Sequence, residues 1–215
     1  FLRAGNADLP IELEVDPIRN GRSFCTRRVV ARQNGEAIFN TSISYHVVEE
    51  GMSHSLDMPV VISPEEAAAK NAARDTTAPK NMLDLFGVER ERITERLPEE
   101  QAPVAQSWFR VIGPFEGCVR KQQAALAMIS DFSLYSTAFS AFPYEQPEKV
   151  FIGASLDHAI WFHDVPDMSD WILYDTYSPW SGGARGYNRG SLWSRDGKLI
   201  ASTAQEGLMR IRRSR

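Results

Sequence analysis

The sequence predicts an α+β fold built by duplication, and three observations carry that prediction. Most of the chain consists of short β-rich runs separated by turn residues. One long segment, residues 118–142, has helical periodicity, and the turn punctuation recurs at a fixed spacing of 162 residues.

Residues 11–48 contain three strand-like runs, "IELEVDPI", "SFCTRRVVARQ" and "EAIFNTSISYHVV", the last two joined by Asn34-Gly35, a strong hairpin signal. From Ser63 the composition turns rich in Ala, Glu, Arg and Pro and poor in β-branched residues. Residues 64–103 are therefore expected to be a linker with one or two surface helices, docked through Leu83, Phe86 and Ile93. A strand, "SWFRVIG", precedes the helical segment. On that helix Ala125, Met128, Phe132, Tyr135 and Phe139 form a large apolar stripe. Ala124, Ala127, Asp131 and Ala138 form a narrow stripe beside it, small enough to let a sheet approach with Asp131 at the contact. The remainder is β: "VFIGASLDHAIWFH", "WILYDTYSPW", and a hairpin folded at Asp196-Gly197.

A shift of 162 residues places Gly21 on Gly183, Arg27 on Arg189, Asn34-Gly35 on Asp196-Gly197, Ile38 on Ile200 and Thr41 on Thr203. By the same shift the counterpart of the helix around Asp131 falls about 31 residues before Phe1, so the first copy is expected to lack its helix in this sequence.

With 215 residues, 43% of them apolar, the chain can bury a substantial core. Its formal charge of −4 argues against nucleic acid as a partner, since the one cationic cluster is Arg210, Arg212, Arg213 and Arg215 at the chain end. Cys25 and Cys118 stand far apart with no CxxC spacing, which indicates neither a disulfide framework nor a zinc knuckle and fits a reducing compartment. No apolar run approaches the roughly 18 residues of a membrane helix, so a soluble, intracellular protein is expected.

"ASLDHAIWFH" groups Ser155, Asp157, His158 and His163. Successive side chains of a strand point to opposite faces, so Ser155, Asp157 and His163 share one face and His158 takes the other. That parity excludes a Ser-His-Asp triad made of these neighbours, and a metal site from Asp157, His158 and His163 fails for the same reason. The two histidines are expected to be structural or at the surface. Ser155 and Asp157 are either a strand-end hydroxyl and a carboxylate bonded to backbone amides, or functional groups. In the last strand Gln205 shares a core face with Leu199, Ala201, Thr203, Met209 and Ile211, where an amide needs partners. Its counterpart in the first copy is Ile43. Asp131, on the helix, is either capped structurally or used as a base. Helix, central strand and last strand thus each offer one polar residue. A carboxylate that accepts a proton from water, with a hydroxyl and an amide to hold that water, suits hydrolysis without a covalent intermediate.

The runs "FLRAG", "ASLDHAIWFH" and "SGGARGYNRGSLWSRDGKLIASTAQEG" resemble the type II acyl-CoA thioesterases. The resemblance implies a tandem (double) hotdog, in which a curved antiparallel sheet wraps a long helix in each half. Residues 1–63 would be the C-terminal part of an N-terminally incomplete first hotdog, 64–103 the linker, and 104–215 the second hotdog with the catalytic residues. It implies hydrolysis of fatty acyl-CoA by a water held by Asp131 in "AMISDFSL", Ser155 in "GASLDH" and Gln205 in "STAQEG". Ser155 stands where Thr is common, keeping the hydroxyl and losing a methyl that restricts χ1. The family has two strands ahead of the second helix, where this sequence offers only "SWFRVIG". No cofactor or metal is implied; acyl-CoA is the substrate, a homo-oligomer (dimer or tetramer) the expected assembly and the cytoplasm the expected location. The alternative is a non-catalytic acyl-CoA-binding hotdog. A dehydratase pairing His with a carboxylate is disfavoured, since no His lies on the helix of Asp131. Arg185 and Arg189 are expected to brace a strand rather than meet CoA phosphate, and Trp161, Trp171, Tyr174 and Trp180 to belong to core or interface.

Overall fold

A computed structural model describes residues 1–72, 83, 86–94, 102–113, 115, 117–142 and 151–211. The chain forms two compact units, Phe1–His54 and Ser55–Arg215.

The first unit is a three-stranded antiparallel meander of β1 (Glu12–Asn20), β2 (Phe24–Gln33) and β3 (Glu36–His46). Asn34 and Gly35 both take positive φ at the β2–β3 turn, as a primed hairpin turn requires. Gln33 ties down the preceding segment. Its Nε2 donates to the carbonyls of Asn6 and Leu9 at 2.8 and 3.0 Å, and its Oε1 accepts from the Asn6 amide at 2.8 Å.

The second unit holds a seven-stranded antiparallel sheet of β4 (Val88–Arg92), β5 (Val104–Val111), β6 (Phe151–Ser155), β7 (Ala159–Phe162), β8 (Ile172–Gly182), β9 (Arg185–Ser194) and β10 (Leu199–Ile211). The spatial order is β4-β5-β8-β9-β10-β6, with β7 also paired to β10. Helix α1 spans Pro64–Ala72 and α2 spans Val119–Leu134, the latter continued by a 3₁₀ segment, Tyr135–Ala141. Strands β8, β9 and β10 repeat the β1–β3 meander nearly residue for residue under the 162-residue shift. Each meander also carries a bulge in its first strand, between Asp16 and Arg19 in one and between Tyr177 and Trp180 in the other.

One face of this sheet packs on α2 through a core that includes Phe109, Leu126, Ile129, Leu134, Tyr174, Leu192 and Ala201. The other face carries Trp108, Trp171, Leu173 and Trp193, covered by Ala67 of α1 and by Met58, Val61 and Ile62. Helix α1 begins on a capping box. The Glu66 amide donates to Ser63 Oγ at 3.1 Å, the Ser63 amide donates to Glu66 Oε2 at 2.9 Å, and Pro64 occupies the first helical position.

Two expectations require correction. The second strand that seemed missing is β4, inside the segment expected to be a linker. Its "VERER" sequence lacks the apolar alternation of a strand because it lies at the sheet edge, where charged residues suit a half-solvated position and discourage edge-to-edge pairing. Of that segment, residues 73–82, 84, 85 and 95–101 lie outside the described residues, as do Arg212, Arg213 and Arg215. Leu83 is buried in the α2-side core and Ile93 packs on the opposite face, whereas Phe86 is half exposed against the Phe132 ring. The second correction concerns α2. Its most buried stripe is Leu126, Ile129, Ser130, Ser133 and Leu134, continued by Thr137 and Ala138, while Ala125, Met128 and Phe132 of the predicted large stripe are partly buried against the same core and Tyr135 packs over Gly153 and Gly207. Close approach selects the small residues. A Cβ added at Gly186 would come within 2.5 Å of Ala138 Cβ, and one at Gly207 within 3.0 Å of Tyr135 Cβ.

Candidate active site

The site forms where α2 crosses β10 and β6. Residues Ala201, Thr203, Gln205, Gly207 and Met209 alternate onto the helix side of β10 and are buried. Leu199 and Ile211, expected on the same face, depart from it. A register shift between Leu199 and Ala201 sends Leu199 to the opposite core, and Ile211 is exposed. Gln205 is fully buried and its Nε2 donates a short hydrogen bond to Asp131 Oδ1, joining the last strand to the helix. Ser155 pairs with Gly207 across β6 and β10, so its side chain shares the helix-side face. Of the three residues singled out in the sequence, Asp131 and Gln205 are therefore in contact, and Ser155 lies on the same sheet face, paired with Gly207 two residues beyond Gln205.

Between β6 and β7 the chain does not continue as an ideal strand. Ser155 faces Gly207 and Ala159 faces Ala204, so three residues, 156–158, oppose two, 205 and 206. This bulge reverses the alternation. Ser155 and, after the bulge, Ile160 and Phe162 face α2, while Trp161 and His163 face outward, His163 hydrogen-bonding Ser202 at 2.9 Å. Asp157 fills the interrupted ladder: its Oδ1 accepts from the Glu206 amide at 2.8 Å, and the Leu156 amide donates to the Glu206 carbonyl at 2.9 Å. Of its two sequence readings, the carboxylate bonded to a backbone amide is the one observed.

The bulge also overturns the placement of His158. Parity assigned it to the face opposite Ser155, but it turns inward. Its Nε2 lies 2.9 Å from Ser130 Oγ, and its Nδ1 lies 3.8 Å from Asp131 Oδ1. Burial lowers the imidazole pKa, against the opposing pull of Asp131 and Asp157. His158 is thus held neutral near pH 7, and the Asp131 contact is not an ion pair there. His158 is one site residue that sequence reasoning missed; Asn188 is another. Asn188, fully buried on β9, pairs directly with Gln205, and both Asn188 Oδ1 and Gln205 Oε1 are buried without a hydrogen-bond partner among the described residues. Its position in the inward series Gly186, Asn188, Gly190, Leu192 is the signal that could have found it.

A polar stitch also fixes α2 against the sheet. Tyr174 OH donates to the Ser130 carbonyl at 3.1 Å and shares a 2.8 Å hydrogen bond with Thr203 Oγ1, and burial raises its pKa well above that of an ordinary phenol. Arg185 braces β9 to β10 through both oxygens of Glu206, at 3.0 and 3.1 Å. Arg189 bonds Tyr187 OH at 3.1 Å within β9. Of the aromatics, Trp171 and Tyr174 are core, and Trp161 and Trp180 are exposed.

The family model of acyl-CoA thioesterase C-terminal domains matches residues 64–209, and that of the N-terminal domains matches residues 1–46. The chain belongs to the acyl-CoA thioesterase family. It is 34% identical to acyl-coenzyme A thioesterase 8 of Mus musculus, over 99% of this chain and 71% of the relative. The crystal structure of an acyl-CoA thioesterase II from Mycobacterium marinum superposes with a TM-score of 0.83 at 32% identity, covering 99% of this chain and 78% of that one. A hot dog fold protein from Alicyclobacillus acidocaldarius, 20% identical, has a TM-score of 0.71 over 92% of this chain and 72% of its own, and shares the fold. The architecture of this acyl-CoA thioesterase family member is the double hotdog, and its reaction class is thioester hydrolysis.

Proposed function

We propose that the protein hydrolyses acyl-CoA to free acid and CoA by direct attack of a water held by Asp131, Ser155 and Gln205. The observation that carries this reading is the hydrogen bond from Gln205 Nε2 to Asp131 Oδ1. It engages one carboxylate oxygen and leaves Oδ2 to accept a proton from the water. Gln205 Oε1, an acceptor without a protein partner among the described residues, suits the water's second hydrogen, and the Ser155 hydroxyl, on the same face, suits its oxygen. The water oxygen then bonds to the thioester carbonyl carbon, and collapse of the tetrahedral centre expels the thiolate. Association into dimers or tetramers belongs to the same proposal, supported by the exposed Trp161 and Trp180.

Free-thiol release from a panel of acyl-CoA esters tests the reading. Asp131→Asn is expected to lower turnover about 100-fold or more, the usual worth of a positioned base. An unchanged rate in that variant refutes the assignment. Acyl-CoA binding by the unaltered protein with no turnover on any ester supports the non-catalytic binding protein instead.

A further inference from the structure

His158 lies outside the trio to which hydrolysis is assigned, yet its hydrogen bonding is constrained. Ser130 Oγ donates its one hydrogen to the Ala127 carbonyl at 2.9 Å, so toward His158 it can only accept. With the hydroxyl hydrogen so placed, the neutral imidazole carries its proton on Nε2 and a lone pair on Nδ1. That Nδ1 is buried, has no hydrogen-bond partner among the described residues, and faces Asp131 Oδ1 at 3.8 Å. A buried lone pair and a half-buried carboxylate oxygen directed at each other repel, and the pair becomes favourable once one proton lies between them. Hydrolysis delivers such a proton to Asp131.

We propose that His158 is a positioning residue that, through Asp131, takes up at Nδ1 the proton removed from the attacking water and returns it for the departing thiolate. This rests on the hydrolytic reading of Asp131. As the water oxygen bonds to the carbonyl carbon, one O–H bond breaks and its proton passes to Asp131 Oδ2; rotation of the carboxyl group about χ2 brings that oxygen to Nδ1, where the proton transfers, restoring the carboxylate beside an imidazolium. When the C–S bond breaks, its electron pair leaves with sulfur, and the proton returns by way of Asp131 to form the thiol. The new carboxylic acid loses its other proton to solvent, so atoms and charge balance with water as the only co-reactant. Closing 3.8 Å to hydrogen-bond length needs a shift of about 1 Å, within the tightening catalytic contacts undergo when substrate binds.

The groups around the ring are compatible with this role. Asp131 faces it from α2. Asp157 adjoins it on its own loop, with one oxygen held by the Glu206 amide. From β10 comes the neutral Gln205, whereas Glu206 projects from the other side of that strand and is bound by Arg185; from β8 comes Tyr174, engaged with Ser130 and Thr203. Burial outweighs the carboxylates, so the resting ring is a neutral acceptor.

The test compares His158→Gln, His158→Asn and Asp131→Asn with the unaltered protein on octanoyl-CoA and palmitoyl-CoA, measuring kcat and KM from pH 5 to 9. Gln keeps an N–H for Ser130 and lacks Nδ1; Asn keeps a hydrogen-bonding group near Nδ1 that cannot carry the proton. With thermal midpoints confirming folded variants, both are expected to lose about tenfold or more in kcat, with KM within about twofold and the acid limb of the kcat profile displaced. An unchanged kcat and pH profile in His158→Gln, or full rescue by Asn, overturns the inference. If the unaltered protein hydrolyses neither ester, the hydrolytic reading of the site falls first.

Discussion

Ser155 and Gln205 differ in how their positions are enforced. Gln205 is fully buried and bonded to Asp131, so its geometry follows from packing. Ser155 is half-buried at the end of β6 and its hydroxyl has one degree of rotational freedom. Ser155→Thr adds a methyl that restricts χ1 and keeps the hydroxyl, so it is expected to retain turnover within about threefold. Ser155→Ala is expected to lose about tenfold or more in kcat, read by thiol release. Equal losses in the two variants would mean that the hydroxyl is not what the site uses.

At the scale of elements, the site depends on α2 lying close to the sheet, and glycine makes this possible. A Cβ at Gly190 would press on the Tyr174 ring, on Thr203 Oγ1 at 2.8 Å and on Thr176 Cγ2 at 3.1 Å. Gly190→Ala is expected to cost about 1–3 kcal/mol of stability, as overpacking of a filled core does, measured by denaturant midpoint. A midpoint unchanged by that substitution would show that the interface yields. The same elements explain what the sequence made legible. Strand alternation identified Gln205 and set Ser155 on a face with Asp157, helix periodicity isolated Asp131 among small residues, and the family resemblance named the same three. His158 was out of reach because alternation presumes an unbroken strand, and only pairing with β10 reveals the bulge that turns it inward. Strand β4 was hidden because its alternation is between charges, and the most buried stripe of α2 because serines and threonines serve there as core.

For the molecule as a whole, the titration of these groups sets how stability depends on pH. The folded state depresses the His158 pKa below the unfolded value of about 6.5, so its contribution is intact above that pH. As pH falls below about 6.5 the unfolded chain binds the proton first, and stability declines until the folded ring also protonates. A thermal midpoint series from pH 8 to 5 is expected to fall through this window, and His158→Gln to flatten that fall. Asp164, lowered chiefly by Lys198, contributes in the opposite chemical form but with the same outcome, because its stabilisation is lost only as pH drops through the carboxylate range.

The central claim, direct attack of a water held by Asp131, Ser155 and Gln205, is tested most directly by a single turnover of acyl-CoA in ¹⁸O-labelled water, with enzyme in excess. Direct attack predicts one ¹⁸O in the released acid on that first turnover and none in the peptide containing Asp131. Label in the Asp131 carboxylate would contradict the account, because it would mean that the side chain had attacked the thioester and been released by hydrolysis.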